Sequence, residues 1–344
     1  MSSPTPVDPA RKLAVPIGVL LTNVGTPASP TAKDVRPYLA QFLGDRRIID
    51  LPRWLWMPIL HGPILMTRPK RSARLYQNVW SDEGSPLLVT LRKQGVGLQT
   101  ILDERLDPST PPVRVAIGMG YGSPSIPEGL TKMLEAGAQR ILVLPLFPQY
   151  STTTTAASLD VVFDALRQQP WMPEVRTVNG YHDDEGYLTA LERSIREHWQ
   201  NQGRAERLLF SYHGIPKRYS ERGEPYYAQC QETTRLLAAR LGLAEGEWAV
   251  SFQSRFGPIE WLRPYTDELL EEWGAAGLGS VDVVCPGFSA DCLETIDEID
   301  REACESFQAA GGGDFHYIPA LNDRPDHLNA LADMVIKQLQ GWLA

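Results

Sequence analysis

Leu208-Leu209-Phe210-Ser211-Tyr212-His213-Gly214-Ile215-Pro216 is the stretch that decides how this chain is built. Its opening apolar run lacks polar alternation, which predicts a strand covered on both faces, as in a parallel sheet. The Gly-Ile-Pro that follows ends the strand, so His213 falls at the carboxyl edge of the sheet, where open α/β sheets take their ligands. The segment Val281-Asp282-Val283-Val284-Cys285-Pro286-Gly287-Phe288 repeats this layout and runs on into Asp291, Glu294 and Glu298. Together the two segments set an imidazole across a cleft from a carboxylate-bearing helix. That arrangement can move protons or hold a metal ion.

Working outward, strand-like runs occur at 15–22, 113–119, 141–147, 175–178, 207–212, 248–253, 281–285 and 315–318. Helical patterns at 31–42, 86–106, 126–136, 158–168, 185–200, 226–241, 258–273 and 291–308 lie between them. This alternation predicts an α/β protein of two Rossmann-like domains, each built on a mainly four-stranded parallel sheet flanked by helices. The expected domains are residues 13–170 and 171–324, with a last helix within 325–344 folding back over the first domain. Both halves place a turn-rich loop after a strand (Asn23-Val24-Gly25-Thr26-Pro27 and His213-Gly214-Ile215-Pro216), which hints at an internal duplication.

The 344 residues are 43% hydrophobic and 22% charged, the composition of an ordinary globular protein. A net charge of −9 without a Lys/Arg run argues against nucleic acid as a partner. The four cysteines, Cys230, Cys285, Cys292 and Cys304, form no C-x-x-C pair, which fits a reducing cytoplasm. Met1 to Lys12 is Pro- and Ser-rich without an apolar core, neither signal peptide nor membrane span.

One segment departs from the average. Leu51 to Met66 carries Trp54, Trp56, Met57, Ile59, Leu60, Ile64 and Leu65 with prolines through it, followed by Arg68, Lys70 and Arg71. It reads either as a buried helix–turn–helix or as an exposed apolar lip. A lip would serve a large flat ligand or an anionic membrane surface.

No loop has the G-x-G-x-x-G spacing of a dinucleotide site, and Gly118-Met119-Gly120-Tyr121-Gly122 is followed by Pro124 and Pro127 where a helix should start. The hydroxyl run from Ser151 to Thr155 reads as helix N-capping, or as a wall of donors for ligand carboxylates. Asp291, Glu294 and Glu298 follow i, i+3, i+7 spacing, one face of an α-helix. Glu294, one turn in, is the better ligand of the three, and Asp291 suits a helix-dipole partner. His213 with Glu294 is too sparse for a permanent tetrahedral zinc site. It suits a metal bound in transit, or a base oriented by a carboxylate. His61, His198 and His316 look less functional, and His182-Asp183-Asp184 reads as a cap on the next helix.

At this point the sequence resembles the ferrochelatases. The elements that carry the likeness are Leu21 to Pro27, Gly84-Ser85-Pro86-Leu87, Leu144 to Ser151, Phe210 to Pro216, Phe252 to Pro258 and Pro286 to Thr295. They span about Ile17 to Leu339, in an order and spacing that chance does not supply.

The resemblance implies two chelatase-type domains, also like periplasmic binding proteins, with His213 and Glu294 as the essential pair facing a porphyrin centre. It implies that Tyr121, Tyr150, Trp261 and Phe288 line the cleft, and that the 51–66 lip, with Trp56 and Met57, borders the pocket. The implied reaction is insertion of Fe²⁺ into protoporphyrin IX, with Fe²⁺ as a substrate and no resident cofactor. His213 would take pyrrole protons, helped by an unperturbed imidazole pKa of about 6.5. Glu298 and Asp291 would pass protons outward. Coproporphyrin III is the alternative substrate, and a non-catalytic tetrapyrrole- or metal-binding protein the alternative class. The expected location is the cytoplasm, with peripheral contact at the inner membrane; the oligomeric state stays open.

Three departures from the family pattern stand out. Cys292 occupies a place where some members carry histidine, and Gly120 one where many have arginine. The residues after the last helix hold no cysteine, so no iron–sulfur cluster is expected.

Overall fold

The computed structural model describes residues 15–343; the Met1 to Lys12 stretch lies outside them. The eight expected strands are all present: β1 (Ile17–Gly25), β2 (Val113–Tyr121), β3 (Arg140–Pro145), β4 (Glu174–Thr177), β5 (Arg207–His213), β6 (Trp248–Gln253), β7 (Ser280–Val284) and β8 (Asp314–Ile318). They form two all-parallel sheets in the same order, β2-β1-β3-β4 and β6-β5-β7-β8. Ile17 pairs with both Val113 and Arg140, and Arg207 to Phe210 with Val281 to Val284. The central strands are apolar on both faces because helices cover both sides: Val19, Leu20, Leu21, Leu208, Leu209 and Phe210 are all buried.

The local rules that start and stop the helices are visible. Thr31 caps the 32–44 helix, and Ser125 with Glu128 forms a reciprocal capping box on the 126–135 helix. Asp184 caps the 185–202 helix by accepting from Tyr187 N at 3.0 Å, so the His182-Asp183-Asp184 run does serve as a cap. β1 ends at Gly25 with φ +123°, where an added Cβ would strike the Tyr121 carbonyl; only glycine fits.

Two helices depart from expectation. The 258–273 pattern becomes a helix only from Thr266, because Pro264 disfavours helical backbone before it and Trp261 is held by a bridge to Pro216. The 291–308 pattern starts at Glu294, not Asp291, and is a π-helix to Ala303 before an α-helical turn over Cys304–Ala309. Asp291 is pulled out of the helix by the hydrogen bonds described below.

One hydrophobic core runs through both halves, joining Val19 and Leu144 of the first sheet to Phe210 and Phe252 of the second. The last helix, Pro325–Gln338, lies across the two. Its Leu328 packs on Gly97 and its Ala330 on Gly186, while Arg105 pairs with Asp333. Beyond it, Trp342 is buried, donates to Glu174 at 2.8 Å and lies under Arg176, tying the chain end to β4.

The segment at 51–79 settles between the two readings of the sequence. It folds as helix Arg53–Ile59, a π turn Leu60–Ile64 broken at Gly62, and helix Leu65–Val79. Trp54 is 79% exposed and Met66 71%, so the segment is an apolar lip, not a buried hairpin.

Candidate active site

The carboxyl ends of β1 and β5 face a single large cleft of about 520 Å³, within the range of a small-molecule site. His213 reaches it as the last residue of β5. Its Nδ1 lies 2.6 Å from the Gly214 carbonyl, which can only accept, so Nδ1 is the donor and in the neutral ring Nε2 is the nitrogen left with a lone pair. The His213 carbonyl is held by Tyr226 Oη at 2.8 Å. Behind it, Gly214 leaves room for the Gln253 carbonyl and the Trp261 ring, both too close to admit a Cβ.

Glu294 enters the cleft at the first residue of the π-helix. Its backbone carbonyl accepts from Gln253 Nε2 at 2.8 Å, and Gln253 in turn accepts from Ser211 on β5 at 2.8 Å. One glutamine thus fixes the spacing between the carboxylate's helix and the histidine's strand. Tyr38 and Tyr76 lie on the same side; burial, with the Glu294 charge behind it, raises both phenols, so both stay neutral.

Glu298 sits behind Glu294 and outside the cleft lining, its carboxylate accepting from Ser254 N at 2.6 Å and from Ser254 Oγ. Burial raises its carboxyl from 4.5 to about 7, and the Glu294 charge adds to the rise; the Ser254 donors oppose it. Between pH 4.5 and 7 the folded chain therefore keeps a proton that the unfolded chain has released. That stabilisation is complete below pH 4.5 and is lost as pH rises through 7. Urea titrations of Glu298→Gln and parent should show the variant gaining about 2 kcal/mol on the parent between pH 5 and pH 8. Parallel pH profiles would contradict the assignment.

Asp291 does something else. It does not line the cleft, and its carboxylate is taken up by Tyr317 Oη (2.6 Å), Asn322 Nδ2 (2.6 Å), Thr295 Oγ1 (3.0 Å) and Ala320 N (3.2 Å). It pins the π-helix start to the end of β8.

Of the expected aromatic wall, Trp261, Phe288 and Trp56 line the cleft. The Phe288 ring lies 6.4 Å from that of His213, and Trp56 Nε1 donates to the Leu43 carbonyl. Tyr121, Tyr150 and Met57 do not line it. Tyr121 stands behind the wall, its ring edge-on to Phe42 and its hydroxyl on Asp45 at 2.7 Å. Tyr150 is held by its backbone on Gln229, and Met57 packs into the cluster under the lip.

Sequence reasoning missed the floor supplied by Tyr38 and Phe42, although their i, i+4 aromatic spacing on a capped helix was a usable signal. It also missed Arg218 at the cleft, and it read Arg68 as a surface residue behind the lip rather than as a cleft residue. Burial pulls the Arg68 pKa below its ordinary value, and Arg218 Nε is buried without a partner.

The hydroxyl run does bind a carboxylate, but one of the chain's own. Glu224 accepts from Ser151 Oγ (2.7 Å), Thr152 N (3.0 Å) and Thr152 Oγ1 (2.6 Å), joining the halves beside the cleft. Cys292 is buried and its thiol pushed well up by burial and by Glu294, so it contributes no thiolate.

A family model described as Ferrochelatase matches residues 16–339. The ferrochelatase of Thioalkalivibrio sulfidiphilus is 57% identical over 326 residues, covering 95% of this chain and 88% of its own length. Ferrochelatase 1 of Shewanella oneidensis is 48% identical over 344 residues, covering 100% and 99%. Among solved structures, SirB from Bacillus subtilis with Fe³⁺ superposes with a TM-score of 0.53 at 13% identity, over 95% of this chain and 98% of that one. That likeness concerns the fold.

Proposed function

The chain belongs to the ferrochelatase family, and from that premise we propose that it inserts Fe²⁺ into protoporphyrin IX in the cleft between its two sheets. Iron insertion to form heme is the activity that membership carries. The observation that supports the residue assignment is the His213 tautomer: Nδ1–H is committed to Gly214, so Nε2 is the free base in the cleft.

A planar porphyrin hides its nitrogen lone pairs within the ring, so metallation needs the ring bent and two N–H protons removed. Apolar walls from Trp261, Phe288 and Trp56 grip the macrocycle, and the binding energy of its rim can supply roughly 1–5 kcal/mol of distortion. His213 Nε2 accepts a pyrrole proton. The resulting imidazolium is steadied by the short Nδ1–H bond to Gly214, which strengthens once the ring is charged. Glu294 opposes the charge of the arriving Fe²⁺, and Glu298, titrating near 7, takes protons onward at neutral pH.

Arg68 and Arg218 fit substrate carboxylates at the cleft mouth, with Arg218 already 3.8 Å from Asp50. Two guanidinium groups suit the two propionates of protoporphyrin IX better than the four of coproporphyrin III. Anaerobic Fe²⁺ turnover with each porphyrin tests this reading: kcat/KM should favour protoporphyrin at least tenfold. A preference for coproporphyrin would reverse it.

The reading includes a cytoplasmic location with peripheral membrane contact, and no resident cofactor or iron–sulfur cluster. No helix among the described residues is long and apolar enough to cross a membrane. The exposed lip residues Trp54 and Met66 stand next to Arg68, Lys70 and Arg71, a surface that suits anionic headgroups. In flotation with vesicles containing phosphatidylserine, the parent should rise with the lipid. A Trp54→Ser/Met66→Ser variant should stay behind. Equal recovery of both would leave the lip as pocket wall alone.

A further inference from the structure

We infer that His198, Asp282 and His316 form a second divalent-metal site, separate from the cleft, clamping the 185–202 helix to the β7–β8 edge of the second sheet. The three residues are far apart in sequence and none lines the cleft. Asp282 and His316 are directly paired across β7 and β8, and His198 comes down on them from the helix. His198 Nε2 lies 3.3 Å and His316 Nδ1 3.1 Å from the same oxygen, Asp282 Oδ1, and the three ligand atoms all fall within 4.8 Å of one another.

Three features favour a metal over a bare hydrogen-bonded cluster. The first is charge. Asp282 is 1% exposed, and among the described residues its ion-pair partners are these two histidines, with no lysine or arginine in range. A buried carboxylate gains from a firm counter-charge, and a dication held jointly with the two imidazoles would supply one. The second is spacing. Tetrahedral zinc with bonds of 2.0–2.1 Å sets its ligand atoms about 3.3 Å apart, close to both edges that meet at Oδ1. The third is support. Asp282 Oδ2 is fixed by Trp199 Nε1 at 2.7 Å and Ala205 N at 3.2 Å, which orients the free oxygen toward the imidazoles as outer-sphere donors do in metal sites.

Two nitrogens and one carboxylate oxygen are a borderline donor set. It suits Zn²⁺ or Co²⁺ above Mg²⁺ or Ca²⁺. His316 is partly exposed, so water completes the fourth position.

The test uses the full chain carrying His213→Ala, which weakens binding in the cleft, after chelator treatment. Zn²⁺ is followed by equilibrium dialysis, and Co²⁺ by its visible d–d absorption. One equivalent of Zn²⁺ should be retained and should raise Tm. Adding His316→Gln should weaken Zn²⁺ binding at least tenfold and abolish the Tm rise. Trp199→Phe keeps an aromatic ring at the position but removes the N–H to Asp282, so it serves as the milder second variant should His316→Gln fold poorly. It should weaken binding severalfold with unchanged circular dichroism. Loss of all Zn²⁺ retention on His213→Ala alone would overturn the site. So would retention that neither added substitution changes.

Discussion

His213→Ala is expected to lower Fe²⁺ insertion by about 10²–10⁴-fold, the usual cost of removing a positioned proton acceptor. The side chain projects from the end of β5 into the cleft, and its backbone carbonyl, held by Tyr226, is untouched by the substitution. Fold and porphyrin affinity should therefore stay within a few-fold of the parent, measured by thermal melting and porphyrin fluorescence quenching. His213→Gln separates shape from chemistry: it fills the space without a basic nitrogen and should be nearly as slow. Turnover of either variant within a few-fold of the parent would remove His213 from the reaction.

The second large effect belongs to Glu294. Glu294→Gln keeps the volume and the backbone bond to Gln253 but deletes one of the two carboxylates that line the cleft; the other, Asp50, is paired with Arg222. In a poorly hydrated site a charge opposing Fe²⁺ is worth far more than in water, so kcat should fall by roughly 10²-fold or more. Glu298→Gln should cost less, since its carboxylate lies outside the cleft lining, held by Ser254. Asp291→Asn should behave differently in kind. Four donors converge on that carboxylate, and an amide would turn an NH₂ toward some of them. The expected loss is about 1–3 kcal/mol of stability with kcat largely kept. Equal rates for parent and Glu294→Gln would sink the charge-balance role.

Much of this was legible in the sequence, for identifiable reasons. The central strands, buried on both faces, read as unbroken apolar runs. The half-exposed edge strands, such as Glu174–Thr177, could be placed from the alternation with helices around them, so the sheet edge that carries His213 was legible. What the sequence hid was backbone detail set by tertiary bonds. The 294–303 segment reads as an α-helix because its residues are ordinary helix formers. Its π geometry has no period of its own in the sequence, and Asp291 leaves the helix only because Tyr317, Asn322 and Ala320 are there to receive it.

Tyr121, expected in the cleft wall, lines a small recess that shares Val24, Phe147, Thr153 and Thr154 with the cleft, a distinction of depth that a motif cannot carry. His198 and His316 looked unremarkable singly, one on a polar helix and one within a strand. Only the β7–β8 pairing brings them to a common oxygen of Asp282.

The helix at 325–338 braces both sheets at once, and the core beneath it is continuous from β1 to β5. This decides where compliance resides. A swing of one sheet against the other about a hinge would open that core to water, so the joint between the halves is stiff. The yielding part is the lip, where the helical hydrogen-bonding breaks at Gly62 and the apolar side chains face solvent. On the proposed reading, a flat macrocycle entering past the lip would meet walls stiffer than itself, and the guest rather than the host would bend.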